Sequence, residues 1–290
     1  MNVELHADDL GASKGVNRNI LAAWKSGALD GVSVLANGDA IHEAAAEVNG
    51  HPDRPLRIVA HLNLSEAMPI AERSDVAFLL DESGRFRFGF LGLLFRWMRS
   101  GRIQKQELAT QIAREWRAQI ETIADAFAPR KINALDGHIH VHMLPFTFKI
   151  AAELAKEFGI TEIRISHELR HFSLKDCWRL GYVANVVKHQ LLRFLAVPAR
   201  RIAKAYELRS PGAVAGLLHS GRMSASAIET AIAAARRADL EWLEVICHPG
   251  RALPEEGPRW EGQKGLADFY MSSDRDFEFE TLSGLRSATN

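Results

Sequence analysis

The stretch around which this sequence is organised is Lys131-Ile132-Asn133-Ala134-Leu135-Asp136-Gly137-His138-Ile139-His140-Val141-His142. Its first five residues predict a short buried strand. If that strand continued, His138, His140 and His142 would share one face, because side chains alternate with period two along a strand. Neutral imidazole is the commonest metal-ligand side chain in proteins. Three imidazoles beside Asp136, directly after a strand, therefore indicate a candidate metal site, and a chance cluster of histidines on a loop is the alternative.

Outward from this stretch, predicted strands and helices alternate along the whole chain. The other strands are predicted at residues 2–7, 31–37, 57–64, 163–165, 213–219 and 242–247. Helices are predicted at residues 16–26, 40–48, 105–127, 145–158, 224–238 and 281–286. Such alternation predicts an α/β fold with a parallel sheet and crossover helices. Six or seven strand–helix units without a linker predict one barrel domain over residues 1–290.

Composition restricts the classes of function. The 290 residues contain 36 Lys and Arg against 36 Asp and Glu, so no overall charge favours binding to nucleic acid. The two cysteines, Cys177 and Cys247, are expected to be free thiols, with one bridge between them as the alternative. The first residues lack the pattern of a signal peptide, and no apolar run is long enough to span a bilayer. We therefore expect a cytoplasmic protein.

Two segments interrupt the regular alternation and are treated as insertions. Residues 65–105 contain an aromatic-rich run that predicts a lid, a wall of a cleft or a helix packed on the core. Residues 171–205 combine apolar and basic side chains. They predict an amphipathic helix, which either packs on the domain or makes a peripheral contact with the inner face of an anionic membrane. A homodimer is the other assembly that we consider.

Titratable side chains collect at the carboxyl ends of the predicted strands. They are Asp8, Asp9, His61, Asp136, His138 and His248. Each has an ordinary explanation, since Asp favours turns and helix caps and a single buried His is usually a hydrogen-bonded core residue. In (β/α) barrels, however, functional groups gather at this edge of the sheet. Together these residues predict a functional site.

Four motifs in order resemble those of the YdjC-like carbohydrate deacetylases. They are Ala7-Asp8-Asp9-Leu10-Gly11 with Gly15-Val16-Asn17, Ala60-His61-Leu62-Asn63-Leu64, the 136–142 stretch, and Cys247-His248-Pro249-Gly250. Asp274-Arg275 before a terminal helix also agrees with the family pattern. The resemblance implies a distorted, TIM-like (β/α) barrel of seven strands. It also implies a divalent metal and hydrolysis of the N-acetyl group of an amino sugar.

The resemblance further implies roles for individual residues. Asp9, His61 and His138 are the expected metal ligands, Asp8 the general base and His248 the general acid. Oxygen and nitrogen ligands suit Mg²⁺, which we expect first, and also Zn²⁺, Mn²⁺, Co²⁺ and Ni²⁺. The residues expected at the substrate are Asn37, Asp136, His140, His142 and Arg275. The expected substrate is an N-acetylated oligosaccharide or a lipid-linked glycan.

Two departures from the family pattern are adjacent to residues with expected metal-binding or catalytic roles. Leu10 stands where Phe is usual, and Gly137 replaces a common Ser. We expect both to affect packing rather than mechanism. The alternative functions are another metal-dependent hydrolase, acting on a phosphoester or a non-sugar amide, and an inactive barrel that serves as a binding protein. No Gly-rich phosphate loop supports the phosphoester alternative.

Overall fold

Seven parallel strands form one sheet in this protein. The structure, a computed structural model, describes residues 1–169 and 180–287. The strands are β1 (Asn2–Leu10), β2 (Gly31–Val34), β3 (Arg57–Leu62), β4 (Ile132–Gly137), β5 (Glu162–Ile163), β6 (Ala213–Ala215) and β7 (Trp242–Cys247). Their order is β5-β4-β3-β2-β1-β7-β6, and every pair is parallel.

The sheet curls until its two edges approach each other. Isolated parallel bridges join Glu162 to Arg209 and Glu168 to Val214, which connects the β5 edge to the β6 edge. The predicted α/β fold, a distorted TIM-like barrel of seven strands, is therefore confirmed. Because all strands run in one direction, their carboxyl ends meet at one rim.

Helices cover the outside of the curled sheet. They are α1 (Lys14–Ser26), α2 (Ile41–Asn49), α3 (Phe90–Arg99), α4 (Arg102–Phe127), α5 (Pro145–Glu157), α6 (Leu180–Ala205), α7 (Ala225–Arg237), α8 (Lys264–Tyr270) and α9 (Asp274–Ser287). Capping residues determine where a helix begins and ends, as α1 shows. The Ser13 hydroxyl accepts a hydrogen bond from the Val16 amide at the start of α1, and Gly27 ends that helix at φ 76°.

An apolar stripe of the long central helix packs against the sheet. Leu108, Ile112, Trp116, Ile120 and Phe127 of α4 are all fully buried. A stripe with helical spacing that is entirely buried contributes core packing along the whole length of the helix. This helix lies in the crossover connection between β3 and β4. Its packing therefore helps to hold the two strands that carry His61 and Asp136 in position.

The two segments predicted to be insertions each contain a helix. Residues 65–105 contain α3, and the described part of residues 171–205 is α6. Cys247 is a buried free thiol, as expected, whereas Cys177 lies outside the described residues. Among the described residues, no helix combines the length and the apolar character needed to cross a bilayer.

Candidate active site

A cavity of about 270 Å³ opens at the carboxyl rim of the sheet. Six of the side chains predicted from sequence line it. They are Asp8, Asp9, His61, His138, His140 and His248. These residues come from β1, β3 and the segments after β4 and β7, so distant parts of the chain meet here.

An irregularity at the end of β1 separates the two adjacent aspartates. The register between β1 and β2 shifts between Ala7 and Leu10, and Asp9 has a left-handed φ of 74°. A bulge of this kind redirects side chains. Asp8 consequently contacts Arg164, whereas Asp9 contacts Arg275 and His138.

Asp9, His61 and His138 form a compact set of potential metal ligands, with one ligand atom from each within 4.8 Å of the others. Asp9 Oδ1 lies 3.3 Å from His138 Nδ1 and 3.8 Å from His61 Nε2. His138 is buried, yet neither of its ring nitrogens makes a hydrogen bond to the described residues. Buried polar atoms are rarely left without partners. A divalent cation would satisfy them, so these residues fit the metal that the sequence predicts.

The orientation of His61 supports the same conclusion. Its Nδ1 lies 2.8 Å from Asp136 Oδ1, which leaves Nε2 directed at Asp9. Metal-binding histidines usually donate their second N–H to a carboxylate in this way. Burial opposes protonation of His61, but the Asp136, Asp8 and Asp9 carboxylates raise its pKa to about 9 in the metal-free protein. Metal binding would therefore displace a proton.

Among the described residues, two other acid–histidine groups come close together in the barrel, but they do not fit a metal. They comprise Glu4, His6 and Glu244, and His6, Asp8 and Asp136. The guanidinium of Arg164 lies among them and donates hydrogen bonds to Asp8 and Glu244. It also pairs closely with Asp136. The positive charge of Arg164 already neutralises the negative charge of these carboxylates, so binding of a metal cation there is not favoured.

Asp8 is held in a fixed orientation by this arginine. Arg164 Nη1 donates to both Asp8 oxygens at 3.0 Å, and Nη2 donates to Oδ1 at 3.0 Å. Burial opposes ionisation of Asp8, but Arg164 and His61 lower the pKa of its carboxyl below the ordinary value. Asp8 is therefore an ionised carboxylate at the cavity wall, as a proton acceptor must be.

His248 lines the same cavity as Asp8 and Asp9. Its backbone amide donates to the Glu278 carboxylate, and its ring packs edge-on against Phe269 at 5.1 Å. Burial lowers the pKa of His248 to about 4, whereas Asp9 and Asp8 act in the opposite direction. The free protein thus holds His248 neutral at pH 7. It becomes a proton donor only after it gains a proton, which the two carboxylates favour.

The predicted continuation of the strand through residues 138–142 is wrong. β4 ends at Gly137, and Ile139 and His140 adopt left-handed φ values of 44° and 62°. The three histidines consequently point in different directions. His138 and His140 line the cavity, whereas His142 turns back, with Nε2 2.9 Å from the Arg164 carbonyl. A Cβ at Gly137 would lie 2.7 Å from His142 Nδ1, so the departure at Gly137 does affect packing.

Of the five residues predicted to contact substrate, only His140 lines the cavity, with Nδ1 3.0 Å from the Ser166 hydroxyl. The others have buried side chains with partners inside the protein. Asn37 donates to the Glu66 and Met68 carbonyls, His142 contacts the Arg164 carbonyl, Asp136 binds His61 and Ser33, and Arg275 donates to Asp9 and the Gly250 carbonyl. These positions favour support of the site over direct contact with substrate.

Three further residues of the site were missed by sequence reasoning. Arg164 orients Asp8, and Lys188 of α6 lines the cavity. Glu66 accepts hydrogen bonds from Tyr270 and Trp260, and its Oε1 lies 3.8 Å from His138 Nε2. A signal existed for Arg164, because a charged residue stands between Ile163 and Ile165 in an apolar strand segment. Lys188 and Glu66 carry no such signal.

A continuous chain of hydrogen bonds fills the barrel interior and ends at the site. His6 lies 2.9 Å from Glu4 and 2.8 Å from the Ser33 hydroxyl. Ser33 donates to Asp136 at 2.7 Å, and Asp136 in turn holds His61. Glu4 lines a separate depression at the opposite, amino-terminal end of the strands. These hydrogen bonds thus connect the amino-terminal end of the barrel to the catalytic cavity at the other end.

Glu4 is expected to make protein stability depend on pH. Burial opposes its ionisation, but His6 and Arg57 lower its pKa from 4.5 to about 2. A lowered folded-state pKa stabilises the fold above pH 4.5, and this contribution is lost as the pH falls towards 2. Glu4→Gln should therefore lower the free energy of unfolding by about 3 kcal/mol at pH 7, and the difference should shrink in acid. Denaturant titrations across pH measure it, with Glu43→Gln at an exposed pair as the control. A difference independent of pH would contradict this prediction.

Arg164→Lys is expected to reduce activity without removing metal. An ammonium cannot reproduce the fork that contacts Asp8, Asp136 and Glu244 together. We expect kcat to fall roughly 10- to 100-fold, as when partners of a metal site are changed. Steady-state kinetics with elemental analysis test this, and Arg117→Lys at an exposed pair with Glu157 is the matched control. Unchanged kcat would show that the orientation of Asp8 does not require the guanidinium.

The fold and the position of this cluster are those of barrel enzymes, whose active sites lie at the carboxyl ends of the strands. The chain belongs to the YdjC-like family, whose sequence profile matches residues 2–287. The predicted family is therefore confirmed.

Relatives with named activities include two bacterial proteins and one from a vertebrate. A carbohydrate deacetylase of Oceanobacillus iheyensis is 30% identical over 61% of this chain and 70% of its own. A chitooligosaccharide deacetylase of Escherichia fergusonii is 32% identical over 57% of this chain and 59% of its own. A carbohydrate deacetylase of Danio rerio is 27% identical over 95% of this chain and 89% of its own.

A solved structure shares the fold over nearly the whole chain. It is a protein of Enterococcus faecalis V583, described as a cellobiose-phosphate cleavage protein, with a TM-score of 0.68 at 20% identity. The match covers 99% of this chain and 92% of the Enterococcus faecalis protein. At this identity the likeness supports the barrel architecture alone.

Proposed function

We propose that this protein is a metal-dependent carbohydrate deacetylase that removes the N-acetyl group from an N-acetylated amino sugar. The observation that carries the proposal is the buried Asp9–His61–His138 set, in which neither nitrogen of His138 makes a hydrogen bond to the described residues. The ionised carboxylate of Asp8 and the imidazole of His248 line the same cavity. The named activities of the relatives favour this chemistry over the alternatives.

Asp9, His61 and His138 would hold the divalent cation. Arg275 fixes Asp9 through two hydrogen bonds of 3.1 and 3.2 Å, and Asp136 fixes His61. Bound there, a cation would polarise the acetyl carbonyl and make a water molecule more acidic. Mg²⁺ remains our first expectation, with Zn²⁺, Mn²⁺, Co²⁺ or Ni²⁺ as alternatives, because carboxylate and imidazole ligands suit all of them.

Asp8 and His248 would move the protons of the reaction. Asp8 lies at the cavity wall as an ionised carboxylate and accepts the proton of the attacking water. An amide nitrogen leaves poorly as an anion, so the departing amine must receive a proton. His248 lies on the same cavity and would deliver it after taking up a proton from solvent, which the nearby carboxylates of Asp8 and Asp9 favour.

The substrate that we propose is an N-acetylated oligosaccharide, and a lipid-linked glycan is the second candidate. His140 and Lys188 line the cavity and are the polar groups best placed to contact a sugar. The side chains of Asn37, Asp136, His142 and Arg275 are buried, and in this proposal they support the site. A cytoplasmic location and a homodimer remain predictions from the sequence.

Acetate release provides the test. Purified protein should release acetate from chitooligosaccharides or an N-acetylated glycolipid, lose this activity with a chelator, and recover it when Mg²⁺ or another divalent cation is added. A panel of phosphoesters and non-sugar amides tests the alternative hydrolases in the same assay. The proposal fails if hydrolysis is confined to that panel, or if acetate release is unchanged by the chelator. Binding of sugar with no turnover under any metal would instead identify a binding protein.

A further inference from the structure

Most of the exposed large apolar side chains among the described residues lie on two helices. They are Leu91, Phe95 and Met98 on α3, and Val187, Phe194 and Val197 on α6, and we call them the α3/α6 face. Phe194 is 76% exposed, and Val187 and Met98 are 66% and 65% exposed. Single exposed apolar residues are ordinary, but a group that recurs along neighbouring helices marks an interaction surface.

The spacing of these side chains places them on one side of each helix. Along α6, Val187, Leu191, Phe194 and Val197 follow one another at intervals of four and three residues. Residues at this spacing lie one above the other on a helix. The opposite side of α6 is packed on the barrel, where Leu192, Leu195, Ala196 and Ala199 are buried. Helix α6 is thus apolar on two sides, only one of which is covered by the residues that the structure describes.

The charges on these helices are all of one sign. Neither α3 nor α6 contains an Asp or a Glu, although the whole chain has equal numbers of acidic and basic residues. The basic residues are Arg96, Arg99, Lys188, Arg193, Arg200, Arg201 and Lys204. Arg99, Arg200, Arg201 and Lys204 are exposed. Exposed apolar side chains beside basic ones are typical of helices that lie in the interface of an anionic membrane.

An apolar groove joins this face to the active site. Its volume is about 350 Å³, and it lies between the start of α3 and the middle of α6. Phe90, Leu91, Val187 and Leu191 line it. Ile139 and Lys188 line both the groove and the catalytic cavity. Anything that binds to the α3/α6 face would therefore lie next to the catalytic cavity.

We propose that the α3/α6 face docks on an anionic lipid bilayer, with its apolar side chains at the acyl boundary and its basic side chains among the headgroups. A second copy of the chain is a poorer occupant. A symmetric contact would bring the basic residues of both copies together, and neither helix carries an acidic residue to compensate them. Anionic headgroups complement this charge.

Co-sedimentation with vesicles tests the proposal independently of catalysis. We expect the protein to sediment with vesicles of equal parts phosphatidylcholine and phosphatidylglycerol, but not with phosphatidylcholine alone, and to dissociate as salt is raised. The double variant Phe95→Gln, Phe194→Gln should reduce partitioning roughly tenfold, and so should Arg200→Gln, Arg201→Gln. All four side chains project from the surface, so the fold should persist, as circular dichroism can check.

Matched controls lie elsewhere on the surface. Ile70→Gln changes an exposed apolar residue outside this face, and Arg236→Gln, Arg237→Gln changes two exposed basic residues at the end of α7. Both controls should partition like the wild type. Equal binding to the two kinds of vesicle, no binding to either, or wild-type partitioning of the Phe95, Phe194 variant would overturn the proposal. So would a dimer, seen by light scattering, that Phe194→Gln dissociates, since the face would then be a protein interface.

Discussion

Replacing Asp8 by asparagine is expected to lower kcat/KM for acetate release by about a thousandfold while the protein keeps its metal. Asparagine has the same shape but cannot accept the proton of the attacking water. Asp8 lies outside the Asp9–His61–His138 set, and its oxygens are engaged by Arg164. The variant should therefore bind metal normally and fail at proton transfer. Steady-state kinetics and elemental analysis of the same preparation give both results.

The matched control is Asp30→Asn, at the opposite end of the barrel. Asp30 accepts a hydrogen bond from the Leu5 amide, which an asparagine oxygen can also accept, and it does not line the catalytic cavity. Its activity should be close to that of the wild type. Wild-type turnover in Asp8→Asn would remove Asp8 from the mechanism. Loss of metal in that variant would instead make Asp8 a ligand.

Replacing His138 by alanine is expected to weaken metal binding by at least about a hundredfold. Both nitrogens of His138 are buried without a hydrogen bond to the described residues, and a metal ion bound beside Asp9 and His61 would satisfy one of them. Removing the imidazole leaves only Asp9 and His61. Two measurements are independent of activity: metal content after dialysis, and the rise in Tm when metal is added. The wild type should be stabilised by added metal, and the variant should not.

His140→Ala is the matched control for this experiment. His140 stands two residues further along and lines the same cavity, but its Nδ1 contacts Ser166 and it is outside the ligand set. It should keep its metal and its metal-dependent rise in Tm. If His138→Ala retains metal, the ligand set is wrong. If His140→Ala alone loses it, the ligand lies two residues from the expected position.

Strand and helix periodicity carries most of the information about this fold. The prediction for β7 at residues 242–247 agrees with the observed strand, and the helix predicted at residues 105–127 lies within α4. The failure at residues 138–142 has a physical cause. Ile139 and His140 adopt left-handed conformations, which L-residues rarely do, and the alternation of side-chain types gives no sign of them. Tertiary contacts around His138 and His142 must impose this turn.

The site was predictable in its residue types and less so in its contacts. Strand-end position selected six residues, and the structure places five of them, all except Asp136, on one cavity: Asp8, Asp9, His61, His138 and His248. The partners of these residues depend on long-range geometry. Arg164 is 156 residues from Asp8 in sequence, and Arg275 is 266 from Asp9. A motif also does not indicate burial: the sequence predicts that Arg275 contacts substrate, whereas its side chain is fully buried.

The charged interior of the barrel has a consequence for protein engineering. Barrels of this kind are usually filled by branched apolar side chains, but here Glu4, His6, Asp136, Arg164 and Glu244 occupy the centre. Exchanging buried ionic groups for apolar ones of similar volume is often neutral or raises stability. In this protein such an exchange would also release His61 and Asp8 from their partners. Thermostability and turnover should therefore be in conflict at these positions, and gains in heat resistance without loss of rate should come from the outer helices instead.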